Sequence, residues 1–214
     1  MREMPDGCVD AVITDPPYGL GRRLYDGGTW ATNPIYDAML EWDKPTSHET
    51  ISELFRVSKT QIIWGGHLYR LPVSRCWLAW QKPRFPTMAD FELAWTSFDK
   101  PSKLFTEIRS PDGRHIHPTQ KPLSLMKWCV QMIPEHGGAI LDPFLGSGTT
   151  AVACKELGRR FIGIEVEPKY CAIAERRLAG ITDRLFPIET ITRKESTNET
   201  SPNPGSDSSS GGDQ

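Results

Sequence analysis

The sequence contains no run of about 18 apolar residues, no C-x-x-C pair, and almost nothing apolar after Ile191. The first absence excludes a membrane-spanning helix. The second argues against a zinc knuckle or a disulfide scaffold. Five cysteines, an odd number, stand far apart at positions 8, 76, 129, 154 and 171, so reduced, buried thiols in a cytoplasmic protein are expected. The third leaves the stretch from Thr192 to Gln214 too polar to offset its ordering entropy, and a disordered tail over residues 191–214 is expected. Met1 to Gly7 lack the apolar stretch of a signal peptide, so a secretory precursor is not expected. Charge of one sign is missing too: the chain sums to −2, but residues 195–214 hold four acids and no base, which leaves the rest at +2. A mildly basic body can hold DNA where its positive groups share a face.

What is present suits one domain over residues 1–190. Short apolar runs read as strands at Val9–Ile13, Gln61–Trp64, Trp77–Trp80, Phe91–Trp95, Ala139–Leu141 and Phe161–Ile164. Helical patterns lie between some of them. Ile51, Leu54 and Phe55 follow a Thr46/Ser47 cap. Leu123, Met126, Val130 and Ile133 follow Pro122; Thr149 to Leu157 ends at Gly158; Tyr170, Ile173, Ala174 and Leu178 follow Pro168. This alternation predicts a Rossmann-like α/β fold with a mostly parallel sheet of about six strands. Gly19 to Lys44 and Ser97 to His117 show no clear period. Loops this long in a compact domain are usually functional.

The run Ala139 to Ala151 reads as strand, tight turn and helix start, with Gly146 and Gly148 placed where a ligand can approach backbone. Glu165 stands nineteen residues beyond Gly146 at the end of the next strand, where a carboxylate can accept ribose hydroxyls. No Lys follows the glycines, so a phosphate-gripping P-loop is excluded. Gly146-x-Gly148-x-x-Ala151 formally fits a dinucleotide fingerprint. Asp142 at the strand end would repel a pyrophosphate and favour the cationic groups of S-adenosylmethionine (SAM), which makes SAM the preferred cofactor over NAD.

The strand from Cys8 runs into Asp15-Pro16-Pro17-Tyr18. An exocyclic amine of adenine or cytosine is a poor nucleophile, because its lone pair is delocalised into the ring. The Asp15 carboxylate and the Pro16 carbonyl can each accept one N–H of such an amine and stabilise the positive charge that grows as a methyl group arrives. Pro16 and Pro17 stiffen the platform, and Tyr18 can stack on the base. Methylation at C5 would need a Cys nucleophile, and no Pro-Cys dipeptide occurs.

Together, Asp15-Pro16-Pro17-Tyr18 and Asp142-Pro143-Phe144-Leu145-Gly146-Ser147-Gly148 closely resemble the DNA amino-methyltransferases, which methylate adenine N6 or cytosine N4. The order, with the DPPY-type motif first, resembles the permuted beta-class group. His117-Pro118-Thr119-Gln120-Lys121-Pro122 is similar to the family segment that closes over the cofactor. Ile62 to His67 and Ala89 to Thr96 resemble the phage and prophage branch.

The resemblance implies that Asp15, Pro16, Pro17 and Tyr18 handle the target amine. It implies that Asp142, Pro143, Phe144, Gly146, Ser147, Gly148 and Thr149 cradle SAM, with Glu165 on its ribose and Thr119 and Lys121 near its methionine end. It also implies a flipped base, double-stranded DNA as partner, and residues 97–117 as a short recognition insert. Lys100, Lys103, Arg109 and Arg114 in that insert, with Arg22 and Arg23 beside the first motif, become DNA-contact candidates. Adenine N6 is favoured because Asp rather than Ser precedes Pro-Pro-Tyr; cytosine N4, or a catalytically impaired DNA- or SAM-binding homologue, is the alternative. A homodimer and a companion restriction nuclease are compatible with the family pattern. Family members usually begin with a further strand carrying a Gly-Asp pair, and this chain begins after it, so a sheet short of one strand is expected. His115 and His117 have no matching third ligand, so no metal is expected.

Overall fold

The computed structural model describes residues 1–20, 43–82, 89–107, 120–134 and 138–181. The first strand, β1 (Val9–Thr14), is buried at all six positions, as fits a strand covered on both faces. Helix α1 (His48–Val57) follows, and its expected cap forms: the Ser47 hydroxyl accepts the Thr50 backbone N–H at 3.2 Å. Next come β2 (Ser58–Trp64), β3 (Trp77–Gln81), β4 (Phe91–Thr96) and β5 (Lys103–Thr106). Helix α2 (Leu123–Met132), β6 (Ile140–Asp142), α3 (Thr149–Glu156), β7 (Phe161–Gly163) and α4 (Pro168–Ala179) complete the order.

All these strands join one sheet in the order β5-β3-β4-β2-β1-β6-β7. Pairing is parallel at β1–β2, β1–β6, β6–β7 and β3–β5, and antiparallel at β2–β4 and β3–β4. The α/β fold with a mostly parallel sheet is therefore as expected, but with seven strands rather than about six. The added strand is β5, which pairs only with β3 at the sheet edge. Three of its four residues are exposed, so no alternation toward a core marks it in the sequence. It also gives regular structure to part of the 97–117 stretch. Residues 108–117 of that stretch, most of Gly19 to Lys44 and the tail over 191–214 lie outside the described residues.

Alternate residues of the central strands feed two apolar layers. Ala11, Ile13, Ile62, Trp64, Leu78 and Trp80 pack with Leu125, Met126 and Cys129 of α2 and Ala153 of α3. Val12, Ile63, Trp95 and Leu141 pack with Ile51, Leu54 and Val57 of α1 on the other face. Trp80 and Trp95 are core residues as expected, while Trp77 is half-buried. Cys76, Cys129 and Cys154 are buried, but Cys8, just ahead of β1, is exposed, which corrects the expectation of uniformly buried thiols. Among the described residues no helix is long and apolar enough to cross a membrane.

The connection from β1 through α1 runs to one side of β1, and β6 lies on its other side. The carboxyl ends of β1 and β6 thus open on one crevice at the point where the winding direction reverses, the place where open α/β sheets bind ligands.

Leu54 is fully buried between α1 and the sheet. Leu54→Ala is expected to lower the unfolding free energy by about 2–5 kcal/mol, measured by urea denaturation.

Candidate active site

Asp15 leaves the end of β1, Asp142 ends β6, and Thr14 Oγ1 donates to Asp142 Oδ1 at 2.8 Å to join the two ends. Around them lies a cavity of about 380 Å³, within the size range of small-molecule sites. Ten of the expected site residues line it: Asp15, Pro17, Lys121, Asp142, Pro143, Phe144, Gly146, Ser147, Thr149 and Glu165. Pro16, Tyr18 and Gly148 adjoin these residues along the chain but are not among the lining. Thr119, Arg22, Arg23, Arg109 and Arg114 lie outside the described residues. Lys100 and Lys103 are exposed near or on β5, at the end of the sheet away from β1 and β6.

The glycine turn is built from both sides. Gly146 and Gly148 take positive φ of 55° and 83°, a conformation that L side chains rarely adopt. A Cβ on Gly148 would also lie 2.7 Å from the Ala174 Cβ, so the turn seats directly on α4. Arg177 of α4, which sequence reading passed over, donates to the Ser147 carbonyl at 2.6 Å and to Thr149 Oγ1 at 3.1 Å. Glu165, two residues beyond β7 rather than in it, accepts the Gly146 N–H on Oε2 and the Val166 and Glu167 N–H groups on Oε1. A carboxylate offers about four acceptor positions. Three are taken, which leaves Glu165 room for one further hydroxyl rather than two.

Asp142 is 4% exposed. It accepts from Thr14 and from the Phe144 N–H on Oδ1, and from Thr150 Oγ1 at 2.6 Å on Oδ2. Burial pushes its carboxyl up to about 6; the three hydrogen bonds oppose the shift and the nearby Asp15 charge adds to it. No cation among the described residues pairs with it, so its charge is open to a positive group in the cavity.

The Asp15–Tyr18 bend is organised differently. Tyr18 OH donates to Asp15 Oδ1 at 2.5 Å, and the Lys121 ammonium pairs with Asp15 Oδ2. Tyr69 OH bridges the Pro16 and Pro17 carbonyls at 3.1 and 2.8 Å. The Tyr18 ring lies against Gly65, where a Cβ would fall 2.1 Å from its Cε1, and Gly65 also has a φ of 66°. Burial and the Asp15 charge hold the Tyr18 phenol protonated, well above its ordinary range.

Lys121 was expected near a cofactor's methionine end. The structure places Lys121 in the cavity lining and sets its ammonium between Asp15 and Glu92, whose Oε2 is 3.0 Å away. Its neighbour Gln120 accepts from Ser147 Oγ at 3.3 Å. The Gln120-Lys121 pair thus bridges the glycine turn and the Asp15 bend. The sequence marks neither Tyr69 nor Glu92 as a site residue: Tyr69 lies in connecting chain, and Glu92 in the Ala89 to Thr96 run, which reads as a strand.

The DNA methylase family model matches residues 69–176. The chain is 28% identical to the Type II methyltransferase M.HpaI of Haemophilus parainfluenzae over 228 residues, covering 83% of this chain and 70% of that one. It is 55% identical to the Type II methyltransferase M2.DpnII of Streptococcus pneumoniae over 62 residues, 29% of this chain and 23% of that one. Among solved structures, PvuII DNA methyltransferase (cytosine-N4-specific) shares the fold with a TM-score of 0.55 at 14% identity, covering 85% of this chain and 84% of that one.

A carboxyl with a folded pKa of about 6 against an ordinary 3.8 gains stability from staying neutral. That gain is complete below about pH 4 and is lost as the pH rises through about 6. The unfolding free energy of the wild type relative to Asp142→Asn should therefore fall by on the order of 2–3 kcal/mol between pH 4 and 7 in paired urea titrations.

Proposed function

This chain belongs to the N6/N4 DNA methylase family, and we propose that it transfers a methyl group from SAM to the exocyclic amine of a DNA base, adenine N6 in the first place. The observation that carries this reading is the shared cavity. Asp15 of the amine-handling motif and Asp142 of the glycine turn line one space, although the sequence separates them widely. The order of the two motifs along the chain supports the permuted beta-class arrangement.

The residues fit SAM. The buried Asp142 carboxyl, raised to about 6 and without a cationic partner among the described residues, is relieved by a positive ligand group. Glu165 has an acceptor position left for a ribose hydroxyl. Phe144, Ile164 and Tyr170 give the same cavity apolar and aromatic walls. When bound, SAM supplies an electrophilic methyl group on sulfur.

The chain's own residues then act on the nucleophile. Asp15 has two of about four acceptor positions taken, by Tyr18 and Lys121. Pro16 O has one contact, from Tyr69. Each can still accept one N–H of an incoming amine, and two fixed acceptors favour the tetrahedral nitrogen and the charge growing on it. Tyr69 holds the prolyl carbonyls still, so the amine meets a preset geometry. Asp15 is also placed to take the proton that the methylated nitrogen releases. Tyr18 presents a ring for a flipped base.

Asp15 in place of a serine favours adenine over cytosine. The substrate in this reading is double-stranded DNA in the cytoplasm. The exposed Lys100 and Lys103 in residues 97–117 are available to its phosphates, and a companion restriction nuclease and a homodimer are further parts of the proposal.

Mass spectrometry of nucleosides from the DNA of cells expressing the protein should show N6-methyladenine. N4-methylcytosine alone would reassign the base, and unmodified DNA would overturn the reading. Asp15→Ala should cut transfer of tritiated methyl to DNA by roughly 10²-fold or more while leaving SAM affinity within a few-fold. Equal loss of both would move Asp15 to the cofactor. SAM affinity in calorimetry should weaken as the pH falls below about 6, because protonated Asp142 no longer offers a charge.

A further inference from the structure

Lys121 has two carboxylate neighbours, and only one of them belongs to the Asp15 bend. Glu92, on β4, brings Oε2 to 3.0 Å from the Lys121 ammonium and pairs through Oε1 with Lys82. The result is an alternating line of charge, Lys82–Glu92–Lys121–Asp15. Its two ammonium groups also stand over indole rings, Lys82 at 5.4 Å from the Trp80 centroid and Lys121 at 5.6 Å from that of Trp64. Glu92 faces Trp80 across the β3–β4 register, and Trp64 pairs with Ala94 two residues along the same strand. Carboxylate, lysines and indoles therefore share one end of one sheet face.

We propose that Glu92 is a positioning residue for methyl transfer, acting through Lys121 to keep the Asp15 carboxylate available to the target amine.

The physical case is electrostatic. An ammonium in contact with a carboxylate attracts it far more strongly at the effective dielectric of a protein interior than in water. Paired with Asp15 alone, the buried Lys121 charge would be directed wholly at the carboxylate that must accept the amine. It would also oppose positive charge growing on the attacking nitrogen. Glu92 offers a second anion on the other side of the ammonium, divides its pull, and brings the four groups to zero net charge. Each Glu92 oxygen lies within ion-pair range of one lysine, although Oε2 accepts no aligned hydrogen bond, and Glu92 does not line the cavity. Its influence on SAM is thus indirect. The pull of both lysines outweighs burial and holds the Glu92 carboxyl down at about 2, so Glu92 itself stays anionic at working pH. Buried ion chains are costly to desolvate and add little net stability. Their presence beside a reacting group points to a role there.

This inference rests on the proposed role of Asp15. It is tested with Glu92→Gln, which keeps the shape and removes the charge, and Glu92→Asp, which keeps the charge and shortens the side chain. The readouts are tritiated methyl transfer to unmethylated DNA, SAM affinity by calorimetry, and the melting temperature. The expected result is a kcat about ten-fold or more lower for Glu92→Gln, with SAM affinity within about three-fold and Glu92→Asp nearer the wild type. A wild-type rate in Glu92→Gln overturns the inference. So does a parallel loss of kcat and SAM affinity, an order in which Glu92→Asp is the worse variant, or a Glu92→Gln protein that no longer folds. Asp15→Asn in the same assay separates the two levels. Full activity there removes the role of Asp15 itself, whereas an inactive Asp15→Asn beside an unimpaired Glu92→Gln removes only the assignment of Glu92.

Discussion

The hydrogen bond from Thr14 Oγ1 to Asp142 Oδ1 joins residues 128 positions apart, at the ends of two strands that pair in parallel through Ala11 with Ile140 and Val12 with Leu141. Neither motif makes a site by itself. The Asp15 bend has acceptors and an aromatic ring but no cradle; the glycine turn is a cradle with nothing to hold an amine. Parallel pairing of β1 with β6 sets their carboxyl ends side by side, and the winding reversal at that point leaves no helix covering them. The burial of both strands makes the register hard to change, since a slip of one residue would turn each apolar side chain to the opposite layer.

Three carboxylates around this crevice are handled in three ways, and the differences follow from their partners. Glu165 is satisfied by backbone amides and serves partly as a brace for the glycine turn. Asp142 is satisfied by two hydroxyls and an amide but by no cation among the described residues, so its charge is held at a cost that a cationic ligand relieves. Asp15 meets a phenol and an ammonium, which fixes its orientation while leaving acceptor positions open. The same functional group thus serves as a brace in Glu165 and, in the proposed function, as counter-charge in Asp142 and acceptor in Asp15, according to whether amide, hydroxyl or ammonium hydrogens surround it.

Much of this was legible in the sequence because it depends on local rules. The period-two and period-3.6 patterns located six strands and four helices, and the Ser47 cap and Pro168 start fell where expected. The glycine turn was readable because positive φ demands glycine, and the Asp15 bend because two prolines stop a strand. What escaped depends on distant pairing. Strand β5 is exposed on three of four positions and leaves no pattern. Tyr69 sits in connecting chain and Glu92 in a run that reads as a strand, and only the sheet order brings them to Asp15. Lys121 was identified as a site residue and lines the cavity, but its pairing with Asp15 and Glu92 was not legible, because a sequence does not show which of several nearby acids an ammonium will meet. Arg177 lies one turn beyond Ala174 on the same face of α4, and a reading that followed apolar spacing passed over a charged residue there.

The stiffness of the Asp15 bend has its own origin. Pro16 and Pro17 have no N–H, so at these two positions the backbone cannot be tied down by donating hydrogen bonds; it can only accept them. Tyr69 supplies the missing donor and spans both prolyl carbonyls, while fixed φ angles remove the remaining backbone freedom. Tyr18 is secured by shape instead, with its ring against a glycine that has no Cβ to displace it. A poor nucleophile needs acceptors whose positions do not relax away as charge develops, since relaxation would return the stabilisation to the ground state. Prolines alone would fix the dihedrals and leave the carbonyls free to tilt. The phenol of Tyr69, fifty-two residues beyond Pro17, turns a stiff bend into a fixed one.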